Sequence, residues 1–215
     1  MLMSDLRRMA KKNRGVMLTV VVILCIGLLS SYAMMSSWGL KSGSSTASAM
    51  EKAIQNTKKA LESKPNDYAL NLQLGNQLFE LGEHKRLVLN ANWLEYRGNY
   101  LEAVDAYEKA WEHRPTTLTS KERANIKVLL GLSYYRSGNY IDAEAELETA
   151  TLYADKDLEI NLTYIYFFEM QKTKEMALNK ARAFKERLEE GDLTTAEWKI
   201  LNDYITELEK AVGQA

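Results

Sequence analysis

Residues 97–110 read RGNYLEAVDAYEKA, and residues 136–150 read RSGNYIDAEAELETA. Both hold Gly-Asn-Tyr, an aliphatic residue, an acid and an alanine, and Gly138 follows Gly98 by 40 residues. Self-similarity at such a period marks a repeat array. Glycine accepts the left-handed conformation of a helix stop, so Gly98 and Gly138 are expected to end one helix. Asn99 and Asn139 are expected to cap the next. Glu102 and Asp142 then fall in its first turn, where the helix dipole favours an acid. Tyr100, Ala103, Tyr107 and Ala110 recur at helical spacing on one face, as do Tyr140, Ala143, Leu147 and Ala150. Alanine lets a neighbouring helix approach, and the larger residue between fills the space beside that contact.

A first helix precedes each such element. Residues 72–82 read LQLGNQLFELG and residues 129–138 read LLGLSYYRSG, with Gly75 and Gly131 each seven residues before Gly82 and Gly138. Glycine inside a helix costs about 1 kcal/mol against alanine and is tolerated where another helix packs on it. Leu130, Gly131, Tyr134, Gly138, Tyr140, Ala143 and Ala150, and in the other copy Gly98, Tyr100, Ala103, Tyr107, Ala110 and Pro115, resemble the pattern of the tetratricopeptide repeat (TPR) family. The resemblance implies an all-α fold, a TPR-like α-solenoid of antiparallel helix pairs winding as a right-handed superhelix. It implies binding of a protein or peptide partner in a groove lined by the first helices. Carried to matching positions, the groove residues are Leu72, Asn76 and Phe79, then Asn125, Val128, Leu132, Tyr135 and Arg136, then Leu162, Tyr166 and Glu169. Leu72 stands where a carboxylate-gripping member of the family carries lysine, which argues against a ligand held by its C-terminal carboxylate.

Size and composition agree. A chain of 215 residues is one or two domains' worth, and 46% hydrophobic content is ample for a core. Two prolines, Pro65 and Pro115, both fall at predicted helix exits. One cysteine, Cys25, excludes an intramolecular disulfide. The first fifteen residues carry Arg7, Arg8, Lys11, Lys12 and Arg14 against Asp5, a charge of +4 in a chain of net −1, so the remainder carries −5. An acidic body argues against nucleic acid as partner.

In chain order, 1–15 is a basic segment expected in the cytoplasm. Residues 16–35, VMLTVVVILCIGLLSSYAMM, are twenty residues without a charge. At ~1.5 Å per residue they span a ~30 Å hydrocarbon core, predicting a single transmembrane helix. Trp38 and Lys41 suit the membrane interface, and the basic residues before the run place the rest of the chain on the extracytoplasmic side of a cytoplasmic membrane. The alternative is a cleaved signal peptide, for which Ser31 and Ala33 offer small residues; the run exceeds the ~7–15 residues of a signal core, which favours an uncleaved anchor. Residues 36–46 read as a Ser/Gly-rich linker and 47–215 as the helical repeat domain. Pro65 and Pro115 are 50 residues apart, against a family period of ~34. Sixteen extra residues, EHKRLVLNANWLEYRG, come after Gly82. They read as one more helix, either opening a repeat at 84–117 or inserted into a repeat begun at Tyr68. Thr119 with Glu122 and Thr194 with Glu197 form capping boxes. Residues 174–190 are expected to be a helix stopped by Gly191, and 194–212 a solvating cap helix, for about nine helices beyond the anchor.

Little points to chemistry. His84 and His113 sit beside predicted helix ends with no cysteine near, so no metal, cofactor or small-molecule substrate is expected. No phosphate loop, nucleophile elbow or metal-helix motif occurs, and the chain is not expected to be an enzyme. Asn161-Leu162-Thr163 matches a glycosylation acceptor but falls in a predicted helix. The expectation is a bacterial membrane-tethered scaffold that recruits a protein or peptide. A chaperone-like assembly factor for a translocation or cytochrome-biogenesis machine is the alternative.

Overall fold

The computed structural model of the chain describes residues 43–213. Those residues form eight α-helices and no strand: α1 (Gly43–Ser63), α2 (Tyr68–Leu87), α3 (Trp93–Glu112), α4 (Ser120–Ser137), α5 (Tyr140–Tyr153), α6 (Leu158–Gln171), α7 (Lys174–Glu186) and α8 (Thr195–Val212). The predicted anchor at 16–35 lies outside the described residues, within which no helix is long and apolar enough to cross a membrane.

Each helix packs on the next along the chain, and α4 also reaches α6. Contact confined to near neighbours is the signature of a stack of hairpins. The helix starts are fixed locally. The side chains of Asp67, Asn92, Thr119, Asn139, Asp157, Thr173 and Thr194 each accept a hydrogen bond from a backbone N–H in the first turn of the helix they precede. Thr119–Glu122 and Thr194–Glu197 form complete capping boxes.

Glycine sets how closely the hairpin helices approach. A Cβ on Gly75 would stand 2.5 Å from the Tyr107 ring, one on Gly82 2.8 Å from the Tyr100 ring, and one on Gly131 2.6 Å from Leu147 Cγ. Tyr100 and Tyr107 are wholly buried in these notches. The pairings also fix direction: α2 and α3 are antiparallel, as are α4 and α5. One buried cluster centres on α2 and α3 and a second on α5 to α8, with Tyr134 bordering both.

Gly138 ends α4 in the left-handed region at φ 89°, and Asn139 caps α5. Gly98 does not play the matching part: it lies inside α3, and Asn99 comes after it in the same helix. The sixteen residues after Gly82 are not a separate helix. They lengthen α2 to Leu87 and start α3 early at Trp93, with a turn at 88–92 between them. Asn92, not Asn99, is the cap. The insertion is therefore a protruding extension of one hairpin, and it accounts for eight helices where about nine were expected. Two further boundaries move. The first helix begins at Gly43, inside the predicted linker, and α7 ends at Glu186, with Gly191 at φ 97° in the turn beyond it.

Candidate functional site: the inner face of the stack

The first helices α2, α4 and α6 are joined side by side by their own polar and aromatic side chains. Arg136 on α4 donates Nε–H to Glu83 Oε1 on α2 at 2.8 Å. Tyr135 on α4 lies edge-on to Phe167 on α6, ring centroids 6.0 Å apart, and accepts from Gln171 Nε2 at 3.3 Å. Tyr204 on α8 donates its hydroxyl to Glu169 Oε2 on α6 at 2.7 Å. The outcome is a row of polar side chains running across the stack through α2, α4, α6 and α8.

Glu83 is the hub. It also accepts the Tyr100 hydroxyl at 2.6 Å and pairs with Arg86. Burial pushes its carboxyl pKa up, but Arg86, Arg136 and Tyr100 together outweigh burial and hold it below the ordinary value. Glu80, one turn earlier, is the opposite case. Burial alone pushes its carboxyl up to about 7. Burial, followed by Tyr135 and Glu169, raises the Tyr166 hydroxyl, and burial with Glu169 raises Tyr204. α2 thus carries, one turn apart, an acid that binds its proton near neutrality and one that stays ionised, and the Tyr166 and Tyr204 hydroxyls of the row stay protonated. The row is built of hydrogen-bond donors and acceptors drawn from successive helices.

The structure places the predicted groove residues unevenly. Arg136, Tyr135, Tyr166 and Glu169 come together in the row, each half-buried. Asn76 is held by the Tyr107 hydroxyl, which donates to its Oδ1 at 2.8 Å. Asn125 is exposed one end further along α4. Leu72 and Val128 pack against the core clusters, and so do Leu132 and the buried Leu162. Phe79 is buried, edge-on to Tyr100 at 5.5 Å.

Sequence reasoning missed Glu83 and Tyr204, whose partners lie on helices far away along the chain. It also missed two buried amide clamps. Asn71 Nδ2 donates to the carbonyls of Pro65 and Asp67, and Asn161 Nδ2 to those of Ala154, Asp155 and Asp157. Each asparagine stands four residues after its N-cap aspartate, and that shared Asp-x-x-x-Asn spacing was the available signal. Asn161 is 2% exposed, so its amide is closed to glycosylation. At the place equivalent to Asn71, α4 carries Lys127, 8% exposed, with Nζ 2.7 Å from Glu146 and 4.2 Å from the Trp111 ring centroid. Two hollows, of about 310 and 500 Å³, flank α1 along its seam with α2 and α3 rather than the polar row. Among the described residues no group of His, Cys, Asp and Glu is placed to hold a metal ion.

No protein-family profile matches the chain. No curated protein matches it. Among solved structures it is similar to one described as the crystal structure of MamA, at 17% identity and a TM-score of 0.34, over 69% of this chain and 95% of that one. A second, described as the crystal structure of MamA protein, stands at 18% identity and a TM-score of 0.35, over 66% of this chain and 84% of that one. The helical-repeat fold itself rests on this chain's own pairing: glycine notches filled by Tyr100, Tyr107 and Leu147, and hairpins stacked in chain order.

Proposed function

We propose that this chain is a membrane-tethered scaffold that binds a protein or peptide along the inner face of its helical stack. The observation that carries the reading is the polar row linking α2, α4, α6 and α8. A polypeptide lying across it would meet amide, hydroxyl and carboxylate groups set at successive helices. The anchor reading is supported by the uncharged run at 16–35, and the side of the membrane by the basic residues before it. Tethering raises the effective concentration of the bound partner near the bilayer.

The test is photocrosslinking in intact membranes. A photoreactive residue replaces Asn125, exposed on the inner helix α4, or Glu148, exposed on the outer helix α5. A discrete adduct with one polypeptide is expected from position 125 and none from 148. Equal labelling at both, or none at 125, overturns the reading. A ladder of many unfolded clients at 125 replaces it with the chaperone alternative. Protease added to the extracytoplasmic side should digest the stack; a protected stack places it in the cytoplasm.

A further inference from the structure

Scattered exposed hydrophobic side chains are ordinary on a soluble surface. Here they are sorted. Among the described residues eleven large hydrophobics are exposed. Five of them, Leu87, Val88, Leu89, Trp93 and Leu94, form the tip of the extended α2–α3 hairpin. Tyr140 and Ile141, the latter 83% exposed, open α5 just after the α4–α5 turn. Met170 and Met176 flank the α6–α7 turn.

Because the helices alternate in direction, these three turns share one edge of the stack. Trp93 leans on Gly138, whose Cβ would stand 3.5 Å from the indole, while Arg97 lies over that indole at 4.9 Å and donates to the Ser137 carbonyl. Lys172 reaches Glu144 at 3.5 Å, joining the second turn to the third. The opposite edge holds the turns 64–67, 113–119, 154–157 and 187–194. Near it only Leu152 of the eleven is found. Nine of eleven on one edge is a sorted surface, and the tip standing ~8 Å beyond Gly82, at ~1.5 Å per residue, makes it protrude.

The chain itself indicates what covers this edge. Glu51 on α1 lies 3.8 Å from Lys85 near the end of α2, and Lys58 is 2.5 Å from Glu102 on α3. So α1 runs antiparallel to α2, and its start at Gly43 is at the same edge as the hairpin tip. Seven residues, 36–42, separate that start from the uncharged run 16–35. Fully extended they reach at most ~25 Å. If the run is an anchor, the apolar edge is the part of the stack held nearest the bilayer. An indole with a guanidinium over it, amid leucines, suits the headgroup boundary, where amphipathic surfaces sink ~5–10 Å.

We propose that the edge carrying the α2–α3 tip is a bilayer-contact surface, with Leu87, Leu89, Trp93 and Leu94 seated among lipid headgroups. The stack then stands with its helices steep to the membrane and its inner face open sideways. This rests on the anchor reading, and the experiment separates the two. Full-length protein in a Cys25→Ser background, with Leu89→Cys or Leu152→Cys carrying an environment-sensitive fluorophore, is reconstituted into phosphatidylcholine vesicles containing a spin-labelled acyl chain. Expected is a blue-shifted emission at 89, quenched several-fold more than at 152. Adding Leu87→Ser and Leu94→Ser, both exposed and outside the core, should reverse much of that quenching without changing the melting temperature. Protein that floats with the vesicles but shows equal quenching at 89 and 152 overturns the edge contact and leaves the anchor standing. Protein that fails to float overturns both. A blue shift at 89 without lipid quenching means that a second copy or another protein covers the tip, and also overturns the proposal.

Discussion

Gly75 and Gly98 invite the same substitution and should answer it oppositely. Gly98 lies in an exposed stretch of α3 with nothing within 4 Å of a built Cβ. Gly98→Ala should stabilise by ~1 kcal/mol through helix propensity alone. Gly75 faces the Tyr107 ring, which is fully buried and cannot retreat. Gly75→Ala should cost about 1–3 kcal/mol through overpacking, outweighing the propensity gain. Thermal denaturation of both variants checks the pair, and melting temperatures moving the same way would show that the notch is not tight. Glu80 gives a second residue-scale expectation. Its carboxyl rises from 4.5 to about 7 in the folded chain. Between those values the folded state holds the proton more often than the unfolded state, so this group's contribution lowers stability as pH rises through that window. Glu80→Gln removes the penalty. It should be more stable than the parent by up to about 3 kcal/mol near pH 8, with the gap closing near pH 4.5, as urea unfolding at the two pH values would measure.

At the scale of the element, the extended hairpin is an insertion whose ends can be rejoined. Removing residues 83–98 brings Gly82 onto Asn99-Tyr100 and writes LGNY, close to the SGNY that turns α4 into α5. Gly82 would then stop α2, and Asn99 would cap a shortened α3. The deletion loses the bonds from Glu83 to Arg136 and Tyr100 and from Arg97 to Ser137. It should fold with a loss of about 2–4 kcal/mol, near the sum of those bonds, seen as helical circular dichroism with a lower melting temperature. An unfolded product would show that the extension is part of the core rather than added to it. This element also shows why the sequence misled. Gly98 and Gly138 sit in nearly identical words, but a glycine stops a helix only where the chain has yet to make its hairpin turn. Residues 83–97 had already supplied a turn and a cap earlier.

Across the whole molecule, α8 closes the stack. Leu201, Ile205 and Leu208 cover the side of α7 that carries Leu178, Ala181 and Phe184, while the other side of α8 is charged. A stack ends only where a helix turns a polar face outward. Ending the chain at Glu190 should leave that apolar side open and produce aggregation, measured by light scattering during refolding. A monodisperse truncated product would mean that α7 is itself an adequate end.

The sequence alone specified most of the helices, the caps at Thr119, Asn139 and Thr194, the notches at Gly75 and Gly131 and the order in which hairpins stack, because these depend on residues a few places apart or on a repeated period. Only the tertiary structure decided which of two matching glycines ends a helix, which groove candidates are committed to core contacts, and how Glu83 and Tyr204 complete a polar row. It alone showed the exposed hydrophobic side chains sorted to one edge. Those outcomes depend on side chains far apart in the chain meeting across neighbouring helices, and local patterning carries no record of such meetings.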